Sequence, residues 1–434
     1  MCTNAMINKI TAMLKNPTLL GTFFVTLGVF IGSVFSYLLQ IGLGHLLTIE
    51  DFGVFNAFLS LLTIFGIPAG AVSVALIKKV SDLLAKNDFY TLQKLFWNFS
   101  KLSLLFGLAL ATIFVLLNAK ISEFLQVDQP GLIFVFAGLL AVSFVNTAPL
   151  AYLQGLLRFK AYALLSVVSQ FVRLIIPMGL VYAGYRVAGA YGGLILVAFL
   201  TFLTAYWLLK KNLAIKTFPA DQSPVDLKTV YRNLLAFSIP VLLINSGVAL
   251  LNNVDIIMVK HFFDPYQAGI YAGLVTMGKV FLFGASIIQT VMFPQISHLY
   301  ASGANYKGRF VKFLTLQLAI IGAGLAVFAL FPSLINTSMF GGKFADSVPY
   351  IPLFALFVSL YILITFLSMF LLAINKTRAY LIILPACVVQ YLLITTFHQN
   401  LTSVIKANTL SAGLACLFIT MYVVKSVVYG VKRI

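Results

Sequence analysis

The sequence predicts an all-α integral membrane protein with about 12 transmembrane helices in two pseudo-symmetric six-helix lobes around a central cleft. Three observations predict it. Of 434 residues, 61% are hydrophobic and only 9% charged, and the mean hydropathy is +1.03, whereas a soluble domain carries about a quarter charged residues. Twelve apolar runs are each long enough to cross a bilayer, which takes about 20 residues per helix. The first half of the chain recurs, weakly, in the second.

The runs fall at 19–47, 53–77, 99–118, 132–153, 162–184, 187–209, 234–259, 268–293, 313–335, 349–373, 379–397 and 403–424. The first follows Lys9 and Lys15 and is far longer than the ~7–15-residue core of a cleavable leader, so it reads as a span. Glu50 and Asp51 separate the first run from the second, and a polar stretch at 78–98 ends the second. The fifth and sixth runs have the shortest separation. After the sixth comes KKNLAIKTFPADQSPVDLKTVYRN, residues 210–233, with Pro219 and Pro224. It reads as the linker between a lobe at 1–215 and a lobe at 216–434. Prolines at 68, 149, 177, 240, 294, 352 and 385 lie inside or at the ends of spans, where each removes a backbone hydrogen bond and can bend its helix.

The repeat has an offset of 216. Residues 19–85 lie on 235–301 without a gap, with 11 identities in 67 positions. His45, Gly53 and Phe55 meet His261, Gly269 and Tyr271. An even number of helices per half gives both halves one orientation, and thus a two-fold axis along the membrane normal.

Charge sets the orientation. The chain has 29 Lys+Arg against 11 Asp+Glu. With the N-terminus in the cytoplasm, 22 of the cations fall on the inner side, five in outer loops (Lys120, Arg186, Lys260, Lys343, Lys406), and Arg173 and Lys279 inside spans. That bias follows the positive-inside rule for a multi-pass protein of the cell membrane with both termini cytoplasmic. It also explains the basic composition without nucleic acid as a partner.

The two intramembrane cations are the candidate site. A charge at mid-span costs about 2.5–3.5 kcal/mol on insertion scales unless it meets water, a partner or a ligand. Polar faces accompany them. Ser166, Ser169, Gln170 and Arg173 follow helical spacing in the fifth span, as do Thr276, Lys279, Ser286 and Thr290 in the eighth. Asn245, Asn252 and Asp255 mark the seventh span, and Tyr37 and Gln40 extend the stripe of the first. Asp255 is the one acid within a predicted span. Two readings stand: a hydrated path that takes an anion, or interhelical hydrogen bonds with one Asp255–Lys279 ion pair.

Catalytic patterns do not emerge, so no enzyme, cofactor or metal site is expected. Gly273-x4-Gly278-Lys279 resembles a phosphate loop, but Val280 stands where Ser or Thr would bind the metal. The four histidines are scattered, and Cys2, Cys387 and Cys416 form no CxxC motif.

The run LGHLLTIEDFGVFNAFLSLLTIFG, residues 43–66, and the run NNVDIIMVKHFFDPYQAGIYAG, residues 252–273, resemble the first-loop signatures of the polysaccharide and oligosaccharide-lipid flippases (O-antigen-flippase-like). Those proteins belong to the multidrug/oligosaccharidyl-lipid/polysaccharide exporter (MOP) superfamily. Lys279 and FPQIS at 293–297 fit the helix that follows in that family. The resemblance implies a transporter that moves a polyprenyl-pyrophosphate-linked oligosaccharide to the outer leaflet by alternating access. It implies as partners the lipid bilayer, a coupling ion (H+ or Na+), and a polysaccharide polymerase and glycosyltransferases. On that expectation Arg173 and Lys279 hold the pyrophosphate, while Asn245, Asn252, Gln170, Gln40 and Tyr37 meet sugar hydroxyls. Asp255 pairs with Lys279 when substrate is absent. The rival readings are a multidrug or small-metabolite antiporter of the same superfamily and an integral-membrane glycan polymerase or transferase. All six acids of the first half, Glu50, Asp51, Asp82, Asp88, Glu123 and Asp128, fall in loops, which departs from the multidrug branch and its N-terminal carboxylates.

Overall fold

In a computed structural model, residues 17–129, 131–213, 239 and 242–429 are described, and every regular element among them is helical. In chain order these are α1 (Pro17–Leu46), α2 (Ile49–Ala85), α3 (Phe89–Leu116), α4 (Asn118–Phe124), α5 (Leu132–Val145), α6 (Thr147–Gly155), α7 (Phe159–Leu180) and α8 (Arg186–Leu213). They continue as α9 (Leu242–Leu251), α10 (Val254–Phe262), α11 (Pro265–Ala301), α12 (Lys307–Leu330), α13 (Pro332–Phe340), α14 (Ile351–Ala373), α15 (Tyr380–Thr396) and α16 (Leu401–Tyr429).

Among the described residues, nine continuous helical stretches are long and apolar enough to cross a membrane, and α9 with α10, bent by 40°, makes a tenth. Two features relate this number to the twelve apolar runs. The 52-residue stretch Phe159–Lys210 contains two passes: Gly184 at φ +94° and Arg186 at φ +47° interrupt it, and α7 and α8 then pack on each other. Glycine suits that turn because a side chain at such a φ is strained. The first run is α1, of which Phe30–Leu46 forms a shorter apolar stretch. Of the polar stretch 210–233, residues 210–213 end α8, and the rest lies outside the described residues.

The chain forms two compact units. One comprises Met1–Leu46, Pro68–Ile121 and Gln129–Ser238; the other comprises Leu47–Ile67, Ser122–Asp128 and Ile239–Ile434. Two segments from the first half of the sequence, 47–67 and 122–128, thus fold with the second half. The helix α2 changes unit at Pro68, inside its length.

The first unit packs Leu76, Val80, Leu95, Phe96, Tyr152 and Leu209 into one apolar cluster. There the Tyr152 hydroxyl donates to the Leu92 carbonyl at 2.8 Å. In the second unit α14 is the central helix, mostly buried, whereas α12 presents most of its apolar surface outward, as expected of a lipid-facing helix. Phe52 of α2 is fully buried against Phe340 and Phe344, with ring centroids 5.9 and 5.3 Å away.

The repeat survives in the structure. Helices α2 and α11 each have 37 residues, and both ends are offset by 216. Their N-terminal caps correspond as well. Thr48 Oγ1 accepts from the Asp51 N–H at 3.1 Å, and Asp264, 216 positions on, accepts from the Gln267 N–H at 3.0 Å. Each side chain satisfies one of the amides that a helix start leaves without a partner.

Candidate functional site

Each unit holds one polar cluster within apolar surroundings. In the first unit the cluster forms where α1 runs beside α7. Gly28 faces Ala163, Gly32 faces Gln170, and Gly42 faces Met178, so small residues let the helices approach closely. This register sets Arg173 between the Gly32–Gln170 and Gly42–Met178 contacts. Ser36 donates to Gln170 Oε1 at 3.3 Å. Arg173 Nε and Gln40 Oε1 are both buried and have no hydrogen-bond partner among the described residues. Tyr191 of α8, completely buried, lies within Coulombic range of Arg173. Tyr37 is half-buried on the same helix as Gln40.

A buried polar atom without a partner is uncommon and calls for an explanation. Here the orphans are complementary in kind: a guanidinium donor and an amide acceptor on neighbouring helices. An anion with hydroxyl groups would satisfy both.

The second cluster is built around a helix break. The chain leaves α9 at Leu251, turns at Asn252–Asn253 and resumes in α10, whose first turn carries Asp255. The Asp255 carboxylate accepts from the Tyr271 hydroxyl at 2.6 Å, from Asn408 Nδ2 at 3.0 Å and from the Ile256 N–H at 2.9 Å. Asn408 Nδ2 also approaches the Tyr271 hydroxyl oxygen at 2.9 Å. Gln390 Nε2 donates to Asn408 Oδ1 at 2.9 Å and to the Leu251 carbonyl freed by the break at 3.0 Å. Asp255, Tyr271, Gln390 and Asn408 are all essentially inaccessible, and they come from α10, α11, α15 and α16. The remaining amide oxygen, Gln390 Oε1, has no partner among the described residues.

Lys279 sits two turns beyond Tyr271 on α11, half-buried. It lies within Coulombic range of Asp255, but the hydrogen bonds to that carboxylate come from Tyr271, Asn408 and its own backbone. The contact ion pair expected from the sequence is therefore replaced by a neutral shell. Asn245 and Asn252 are half-buried and make no bond to Asp255. The buried amide of the break is Asn253, which donates to the Ala249 carbonyl at 2.8 Å.

Sequence reasoning assigned Arg173, Lys279, Asp255, Asn245, Asn252, Gln170, Gln40 and Tyr37 to one site; of these, Arg173 and Gln170 of α7 and Gln40 and Tyr37 of α1 lie on helices that the structure sets side by side. It missed Ser36, Tyr191, Gln390 and Asn408. Gln390 and Asn408 each interrupt an apolar run singly, and that isolation was the available signal.

The family described as "Polysaccharide biosynthesis protein" matches residues 43–349. The chain belongs to this polysaccharide biosynthesis family. No curated protein matches it. Among solved structures, it is similar to an inward-facing multidrug resistance MATE family transporter of the MOP superfamily, with a TM-score of 0.73 and 14% identity over 93% of this chain and 96% of that one. It is similar to the lipid II flippase MurJ in an inward closed conformation, with a TM-score of 0.71 and 14% identity over 92% and 87%. It is also similar to a MOP superfamily transporter from Pyrococcus furiosus described as having a binding pocket of reverse polarity, with a TM-score of 0.56 and 15% identity over 95% and 97%. At these identities the likeness establishes the fold: this polysaccharide biosynthesis family member has the all-helical membrane fold of the MOP superfamily transporters.

Proposed function

We propose that this protein is a membrane transporter that moves a polyprenyl-pyrophosphate-linked oligosaccharide, a surface-polysaccharide repeat unit, from the cytoplasmic to the outer leaflet. The observation that carries the reading is Arg173: a guanidinium deep in a spanning helix, with a buried Nε that finds no acceptor. In a family named for polysaccharide biosynthesis, the anion that fits is a sugar-linked phosphate. Guanidinium binds phosphate in a planar, two-point geometry, and the low dielectric strengthens the contact. Beside Arg173, Gln40, Gln170, Tyr37 and Ser36 supply groups for sugar hydroxyls; the second unit carries an intramembrane cation of its own, Lys279. A lipid II flippase is among the solved structures of similar fold.

The Asp255 shell suits coupling. A single buried carboxylate with one unpaired amide oxygen beside it is a place for a proton or a sodium ion, and either would bias one conformation over another. Both termini are placed in the cytoplasm by the distribution of cations. Glycosyltransferases and a polymerase would act before and after the flip.

The test is complementation in a bacterium that needs this protein for surface polysaccharide. Arg173→Ala and Lys279→Ala, each present at parental levels in the membrane, are expected to lose export. Normal export from both would refute the anion site. The second reading, a multidrug antiporter, draws on the multidrug relative of similar fold and on the buried Asp255. Drug resistance on overexpression with unchanged surface glycan would select it.

A further inference from the structure

Lys260 lies near the end of α10 and is the largest charged side chain in the core, with 1% exposure. Its Nζ has no hydrogen-bond acceptor among the described residues. Four carboxylates stand within Coulombic range: Asp128, Asp264, Asp51 and Glu50. They are four of the chain's eleven acids.

The carboxylates come from three separate stretches. Glu50 and Asp51 open α2, Asp128 ends the segment that follows α4, and Asp264 caps α11. The first two stretches belong to segments 47–67 and 122–128, which are early in sequence yet fold into the second unit. Other contacts hold them there. Gln126 Nε2 donates to the His261 carbonyl at 2.8 Å. His261 Nδ1 donates to the Phe124 carbonyl at 2.9 Å, and the two rings stack at 4.0 Å. Lys343 donates to the Leu47 carbonyl and also feels Glu50.

We propose that Lys260 is the electrostatic pin of a releasable latch, clamping residues 47–67 and 122–128 onto the second unit at the outer face of the protein. The outer location rests on the orientation proposed above. Four like charges repel one another, and a single buried ammonium in their midst offsets much of that repulsion. The ammonium is held by their summed field and has no direct hydrogen bond. Opening would restore its hydration, whereas a buried ammonium without acceptors goes unsolvated. The same side chain therefore stabilises closure and limits its depth, which is what a latch that must open in each transport cycle requires.

The test uses the full chain with Cys2, Cys387 and Cys416 replaced by Ala, and with Leu125→Cys as reporter. Leu125 is 1% exposed within the clamped segment. Intact cells are labelled with a membrane-impermeant maleimide, and a parallel sample with a permeant one. Lys260→Met is expected to raise the labelling rate about tenfold by shifting the population toward the open latch. Lys260→Arg should leave it near the parent, and adding Asp128→Asn to Lys260→Met should bring it part of the way back. Should Lys260→Met fail to accumulate, Lys260→Gln keeps a polar head without the charge and is read in the same way. Parental labelling by both reagents in a stably accumulated variant would overturn the latch. A rise seen only with the permeant reagent would uphold the latch and refute the orientation. Because labelling needs no substrate, the result is separate from the fate of the transport proposal.

Discussion

Gly53 and Gly269, equivalent residues of the two repeats, meet backbone to backbone. A Cβ built on Gly53 would lie 2.9 Å from the Gly269 nitrogen, and one built on Gly269 would run into the Ile49 carbonyl. Their contact is a structural trace of the sequence repeat. It also explains why glycine stands at both positions: the Gly269 backbone closes the space that a side chain at 53 would need, and the Ile49 carbonyl closes the space that a side chain at 269 would need.

Gly269→Ala is the stricter substitution, because the obstacle is a backbone carbonyl that cannot rotate away. Overpacking of this kind costs about 1–3 kcal/mol. We expect a lower thermal midpoint in detergent for Gly269→Ala, and a smaller loss for Gly53→Ala. Equal midpoints for Gly269→Ala and the parent would contradict the close approach.

Arg173→Ala should reduce oligosaccharide export by about tenfold or more, equivalent to ~1.4 kcal/mol of lost binding in the transport step. Arg173→Lys keeps the charge but loses the planar two-point geometry, so an intermediate level is expected. Thermal midpoints serve as the control. Removing a guanidinium whose buried Nε has no hydrogen-bond partner among the described residues should leave stability unchanged or raise it.

The Asp255 shell makes a different prediction, in which stability and coupling separate. Tyr271→Phe removes one hydrogen bond to a carboxylate and is expected to cost about 1.5–3 kcal/mol. Asp255→Asn keeps the volume but places an amide against the amide of Asn408. In that variant, export that remains should no longer respond to collapse of the proton or sodium gradient. Unaltered dependence on both gradients would remove Asp255 from the coupling role.

Tyr152→Phe probes the first unit away from any site. Its hydroxyl donates to the Leu92 carbonyl within the apolar cluster, and loss of one such bond costs about 1 kcal/mol. Export should be normal at permissive temperature, with a reduced thermal midpoint.

The helices were legible because lipid-facing and buried residues are apolar alike, and only punctuation had to be found. Two breaks were less plain. The turn at Gly184–Arg186 appears in sequence as a short gap between runs, and the break at Asn252–Asn253 lies inside a single run. The stripe of Gln170 and Arg173 was visible because its members share one helix. The Asp255 shell was hidden because it takes one residue from each of four helices, and spacing along a chain carries no record of that convergence. Lys260 illustrates the opposite error. The end of the run places it among the outer-loop cations, whereas the structure sets it within α10 with its side chain buried.

The shared helix α2 bears on how this molecule can be divided. Cutting the gene at the central polar stretch would give a C-terminal fragment without Phe52, the ring that packs against both Phe340 and Phe344. Such a fragment would be left with an open socket until the N-terminal piece supplied the plug. Co-expressed halves should therefore reassemble, because a cut in the polar stretch follows no boundary of the compact units.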